Sequence, residues 1–235
     1  MVRVSQEIPA SQRFIGTGDV IEENDLVEFR LIFEGNLPPS GGSNSRASEK
    51  HQIRRAFHPQ LRRLWSLNSN LRSLAGHEFK RSEEDANKPH PSEQDRFDLG
   101  VKAIGGKWNR AGFNLVPLVT PDMVLRCSID VMLLRPEEDR FVFRQGDIDG
   151  QLKTLFDALR IPDNASETGG MGPQEDEDPF FCLLQDDRLI SEVSVSTDQL
   201  LLLPNQREVG PNDAHAVIHV RLNHKNARTW NNIFG

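Results

Sequence analysis

Positive charge is in short supply in this chain of 235 residues. Lys and Arg number 28 against 35 Asp and Glu, giving a formal net charge of -7. A surface that is basic throughout is excluded, so any nucleic-acid contact must come from a local patch. Cysteine is scarce as well. Cys127 and Cys182 both lie in apolar stretches, which points to two small buried hydrophobes and not to a disulfide framework. Long hydrophobic runs are absent: none approaches the ~18 residues of a membrane span, and no N-terminal segment joins a basic start to an apolar run. The expectation is a soluble, intracellular protein of the cytoplasm. A Gly-rich phosphate loop of the Walker or dinucleotide type is also missing, which leaves nucleotide-dependent catalysis without support. No internal repeat is visible.

The apolar fraction, 37%, is low for a compact domain, while 27% charged is ordinary. The two values together predict a real core interrupted by polar insertions. Residues 1–24 are weakly patterned and read as an arm, ahead of a single domain over 25–235. Leu26 to Phe33 alternates, with Val27, Phe29, Leu31 and Phe33 on one face, and predicts a half-buried strand. The turn residues from Gly35 to Asn44 end it.

A basic helical segment from about Glu49 to Leu74 carries the apolar stripe Ile53, Phe57, Leu61, Leu64 and Trp65. Pro59 is expected to kink or split it. Arg54, Arg55, Arg62, Arg63 and Arg72 give it positive charge. They make either a solvated helix face or the phosphate-contacting patch that the overall acidity requires. Residues 76–112 are polar and rich in turn-formers, and predict an exposed excursion. Leu115 to Val119 reads as a short strand, and Val124 to Leu134 as a stronger one.

After a central helix, residues 161–180 form a second insertion, whose run Glu175-Asp176-Glu177-Asp178 predicts a solvated loop. Strands follow at Leu189 to Val195, with Gln199 to Leu203 as an extension, and at Ala214 to Leu222. The histidines there, His215, His219 and His224, lack a cysteine or acid at structural-zinc spacing and read as surface residues. The order of elements predicts an α+β fold, a mixed β-sheet packed against helices with polar loop insertions.

The chemistry concentrates in Gly146-Asp147-Ile148-Asp149-Gly150-Gln151-Leu152-Lys153-Thr154-Leu155-Phe156-Asp157-Ala158-Leu159. Leu152, Leu155, Phe156 and Leu159 have the spacing of a buried helical stripe. Asp149, Lys153 and Asp157 are four apart and share a polar face. Acids at a helix start are common for electrostatic reasons alone, and Asp149 with Lys153 is also an ordinary i, i+4 pair. Yet two acids with a lysine one turn on also make a corner for a hard divalent cation, which prefers carboxylate oxygens. A third acid is needed, and Gln185-Asp186-Asp187-Arg188 can supply it. Asp130, on its strand, points either into that acidic site or to solvent.

The order of these motifs resembles that of the RusA-like Holliday-junction resolvases. Three places carry the resemblance: Leu37-Pro38-Pro39-Ser40 with Asn44 after an opening strand; Asp147-x-Asp149-Gly150-x-x-Lys153 with Phe156-Asp157-Ala158-Leu159; and Asp186-Asp187 before a strand. Gly150 stands where the family has Asn. The resemblance implies a homodimeric, Mg²⁺-dependent endonuclease acting on branched DNA. It implies Asp147, Asp149 and Asp187 as metal-binding acids and Lys153 as a catalytic lysine, with Asp186 as a neighbour able to substitute or assist. Arg54, Arg55, Arg62 and Arg63 are the matching candidates for nucleic-acid contact. The alternative is a catalytically inactive module of the same type that binds nucleic acid or a protein.

Overall fold

The computed structural model describes residues 27–42, 45–80, 89–123, 125–135, 145–201, 210 and 212–224, with the side chains of 145–147 and 223–224 excepted. The expected N-terminal arm therefore lies outside the described residues. Within them the chain is mixed α+β, with two sheets and four principal helices.

Alternating sequence builds the larger sheet. Strand β1 (Glu28–Asn36) pairs antiparallel with β7 (Asp213–His224), which pairs antiparallel with β4 (Leu125–Arg135). Strand β6 (Ile190–Gln199) lies parallel to β4, giving the order β1-β7-β4-β6. One face is apolar: Leu31 and Phe33, then Ala216, Ile218, Val220 and Leu222, then Cys127, Ile129, Val131 and Leu133, all buried. The two-residue period that places them on one face is the one read from the sequence. The opposite face is open to solvent among the described residues. There, the row Ile32, Val217 and Met132 crosses three strands, and Ile32 and Met132 are each 50% exposed.

The long helix α1 (Ala47–Leu67) brings Ile53, Phe57, Leu61 and Trp65 into the same cluster as that inner face. Pro59 neither splits it nor ends it; it sits on the exposed side of one continuous helix. The break comes at Asn68, whose side chain accepts from the Leu71 amide and starts α2 (Ser69–Glu78).

The excursion expected over 76–112 is largely structured. Residues 81–88 lie outside the described set, but Glu93–Lys107 forms helix α3. A reciprocal box starts it: Ser92 Oγ accepts from the Asp95 amide, and the Asp95 carboxylate accepts from the Ser92 amide. Phe97, Val101 and Ile104 then bury one face against α2 and the second sheet. The crossing with α2 is tight enough that a Cβ on Gly100 would come within 1.8 Å of the Ala75 carbonyl oxygen.

The second sheet is three-stranded, in the order β2 (Asn109–Arg110), β3 (Phe113–Val119), β5 (Phe180–Leu184), with β3 and β5 parallel. Every residue of β5 is buried, and α1 lies across it. Cys127 and Cys182 are free and buried, and burial pushes both thiols up to about 12. They are small core residues, as their surroundings in the sequence suggest.

The edge of β1 away from β7 is closed by a side chain. Gln60 Oε1 accepts from the Ile32 amide at 2.9 Å, and Gln60 Nε2 donates to the Ile32 carbonyl at 2.7 Å. The amide of α1 thus stands in for a neighbouring strand.

Candidate active site

The centre of the candidate site is the helix α4 (Gln145–Leu159), which carries the Asp-x-Asp stretch in its first turns. Leu155, Ala158 and Leu159 are buried, and the helix packs on α1 and β5. Asp149 and Lys153 lie on its exposed side. They pair neither with each other nor with another described residue. Among the described residues, no ion-pair partner occupies the charged atoms of either.

Asp157, expected on the same polar face, is committed elsewhere. Its Oδ2 accepts from Lys50 Nζ at 2.5 Å across the junction of α1 and α4, with Arg160 3.8 Å away on the other oxygen. It ties two helices together and is no part of the exposed corner.

The Leu37-Pro38-Pro39-Ser40 turn sits directly on the first turns of α4. The Ser40 amide donates to the Gly150 carbonyl at 2.9 Å, and Gln151 Nε2 donates to the Leu37 carbonyl at 3.0 Å. Gln151 is itself buried and accepts from Arg135 at 3.5 Å. A Cβ at position 150 would lie 2.8 Å from Pro39 Cβ and 3.1 Å from the Ser40 amide nitrogen. The glycine here is a matter of space: no side chain fits between the helix and the turn. Neither Gln151 nor the Pro39–Gly150 contact was foreseen. The glycine in an otherwise good helical run was the available signal.

The third acidic segment comes to the same helix. Asp187–Leu189 is a single 3₁₀ turn between β5 and β6, and it touches α4. Asp186 caps it. Its Oδ1 accepts from the Arg188 amide at 2.9 Å, and its two oxygens accept from the Arg188 guanidinium at 2.9 and 2.8 Å. Those hydrogen bonds hold the Asp186 carboxyl well below the usual carboxylate range. Asp186 is occupied with shaping the turn, and Asp187 is the acid left exposed on it. Gln185 fixes the far end, its amide donating to the Val119 carbonyl at 2.9 Å.

Asp149, Lys153 and Asp187 thus stand on two adjoining elements. Asp147 is the fourth expected member, and its side chain lies outside the described residues. Among the described residues no three His, Cys, Asp or Glu side chains are grouped as a metal site. Two exposed carboxylates that are not tied up in ion pairs fit the oxygen preference of a hard divalent cation.

Two of the four basic candidates are corrected. Arg54 is buried, and its guanidinium is spent on three main-chain carbonyls: Asp157 at 2.8 Å, Arg160 at 3.0 Å and Glu167 at 3.1 Å. Asp157 lies in the last turn of α4 and Arg160 directly follows it, so Arg54 caps that helix from inside the protein. Arg55 is tied to Glu177, with Nε 2.7 Å from Oε1 and Nη2 donating to Oε2 at 3.0 Å. Glu177 is accordingly buried, although its neighbours Glu175, Asp176 and Asp178 in the acidic run are exposed. Arg62 and Arg63 lie on the exposed side of α1.

Two of the sheet histidines, His215 and His219, lie within ion-pair distance of acids, Glu34 and Glu28, and the His224 side chain lies outside the described residues. His219 Nε2 meets Glu28, its Nδ1 lies 3.7 Å from Asp130, and Asp130 accepts from Arg221 at 2.6 Å. These groups lie on the open face of the large sheet, so Asp130 points there and not towards α4.

No helix among the described residues is long and apolar enough to cross a membrane. The chain matches no family model, no curated protein and no solved structure.

Proposed function

We propose that this chain is a Mg²⁺-dependent endodeoxyribonuclease of the RusA-like type. It hydrolyses phosphodiester bonds in branched DNA such as Holliday junctions, and works as a cytoplasmic homodimer. The observation that carries this reading is the meeting of separate acidic segments. Asp149 and Lys153 are exposed on α4 and unpaired among the described residues, and the turn that presents Asp187 lies against that helix. Around them, the Pro-Pro-Ser turn is locked onto Gly150 and Gln151.

In this reading Asp147, Asp149 and Asp187 hold the cation. When bound, a divalent ion supplies an activated water and neutralises charge growing on the phosphate. Lys153, one helical turn from Asp149, steadies the leaving oxygen with its ammonium group. Asp186 holds the turn so that Asp187 faces outward. Arg62 and Arg63 contact the phosphate backbone at a distance from the reacting bond.

The experiment is a nicking assay on a synthetic four-way junction with Mg²⁺, comparing wild type with Asp149→Asn and Lys153→Ala. Cleavage by wild type, lost in both variants, is the expected result. Junction binding with no cleavage of branched, duplex or single-stranded DNA would return the chain to the inactive binding module.

A further inference from the structure

The two outer edges of the large sheet are treated differently. On β1 the Gln60 amide occupies the main-chain groups of Ile32. On β6 no described strand pairs with the far edge of Ile190–Asp198, and all of these residues are exposed or only partly buried. Edges are commonly protected by lysine, proline or a covering element. Ile190–Gln199 contains neither lysine nor proline.

The polarity of that edge can be worked out. The Leu200 amide donates to the Arg135 carbonyl, so position 200 turns its N–H towards β4. Main-chain groups alternate along a strand, so Val193, Val195 and Thr197 turn theirs to the open side. Register sets the side chains. Val193 and Val195 lie opposite Ile129 and Val131, on the apolar face, and Val193 is still 44% exposed there. Glu192 and Asp198 lie opposite Ser128 and Leu134, on the other face. With no Lys or Arg in the strand, the charged groups of that flank are both acids. Glu192 Oε2 accepts from Ser128 Oγ at 3.4 Å and Asp198 Oδ1 from the Gln199 amide at 2.7 Å, and the second carboxylate oxygen of each has no partner among the described residues.

We infer that β6 is a docking edge for an extended segment of another protein in which apolar and basic residues alternate. Such a segment adds as a fifth strand. Its apolar side chains complete the face at Val193 and Val195, and its basic ones meet Glu192 and Asp198 across the strand pair. A second copy of β6 is a poor occupant. Two copies laid antiparallel about Val195 set Glu192 directly against Asp198, acid on acid.

The test follows main-chain hydrogen exchange in the full chain while a short peptide of alternating valine and lysine is titrated in. The Val193, Val195 and Thr197 amides are expected to exchange freely in the protein alone and to become protected as the peptide binds. A peptide of the same composition with the alternation broken should not protect them. Val195→Pro removes an outward donor without touching the bonds to β4 and should abolish binding. Glu192→Lys with Asp198→Lys should weaken binding about threefold to tenfold, and should let a valine–glutamate peptide bind instead. Protection of these amides in the free protein, rising with protein concentration or not, would overturn the inference. So would equal binding of the alternating and broken peptides.

Discussion

Pro39 rests against Gly150 so closely that a single methyl group at 150 would approach its Cβ to 2.8 Å. Replacing glycine by alanine inside a helix normally stabilises by up to about 1 kcal/mol. Here the methyl group meets a proline ring and the Ser40 main chain, neither of which can swing aside as a flexible side chain would. Overpacking of this kind costs about 1–3 kcal/mol, so the strain wins. Gly150→Ala, and Gly150→Asn still more, should lower the midpoint of urea denaturation. An unchanged or raised midpoint would show that the turn is not locked onto α4.

Gly100 and Gly106 in α3 should respond oppositely to the same substitution. Gly100 faces the Ala75 carbonyl, main chain against main chain, while a Cβ at Gly106 meets nothing within 4 Å. Gly100→Ala should cost about 2–3 kcal/mol by forcing the helices apart. Gly106→Ala should stabilise by about 0.5–1 kcal/mol. Parallel denaturation curves of the two variants check the pair at once, and a shared sign would refute the helix crossing.

Arg54→Met keeps the length and the apolar stem but deprives three carbonyls of their donor. Each buried group left unpaired costs about 1 kcal/mol or more, so a loss of roughly 3 kcal/mol is expected, seen as a lower melting temperature. Arg54→Lys should recover only part of it, because one ammonium group cannot reach three acceptors set around a guanidinium fork. Junction binding at permissive temperature should be unaffected by either variant, since the side chain never reaches solvent.

Acid sensitivity should trace to His51. The ring is buried, stacked 5.8 Å from Phe180 and edge-on to Phe113 at 5.2 Å, with neither nitrogen hydrogen-bonded to a described residue. Burial pushes it down from 6.5 to about 4, with Arg54 and Arg55 adding to the effect and Glu177 opposing it. The unfolded chain therefore takes up the proton first. Stability from this group is whole above pH 6.5 and is lost as the pH falls towards 4, by at most roughly 3 kcal/mol. His51→Phe should flatten the stability curve across that window. A slope unchanged by the substitution would assign the acid sensitivity to other groups.

The strands were legible because their apolar residues alternate without interruption: Leu125, Cys127, Ile129, Val131 and Leu133 are buried as their period requires. Arg54 departs from its expected exposure because its charge is satisfied inside the protein, not by solvent. In α1 the buried arc is wider than its apolar stripe, and a second row (His51, Arg54, His58) is polar yet interior. A hydrophobicity pattern cannot see such a row; the partners of Arg54 in and after α4 and of His58 on β5 reveal it. Helix α3 is faint in the sequence because glycines at 100, 105 and 106 dilute a stripe that Phe97, Val101 and Ile104 do form. Ser92 and Asp95 at box spacing mark its start. At the candidate site, the sequence pointed to the acids on α4 and on the Asp187 turn. It gave no hint that Asp157 faces Lys50, because that pairing joins segments 107 residues apart.

The Gln60 clamp on Ile32 also limits how these molecules can accumulate. Growth of a fibre by edge joining requires every unit to offer two receptive borders, one to accept the newcomer and one to pass the invitation on. With one border sealed from within, joining stops after a single step. Removing the seal, as Gln60→Ala does, should turn a concentrated solution that stays clear into one that becomes turbid.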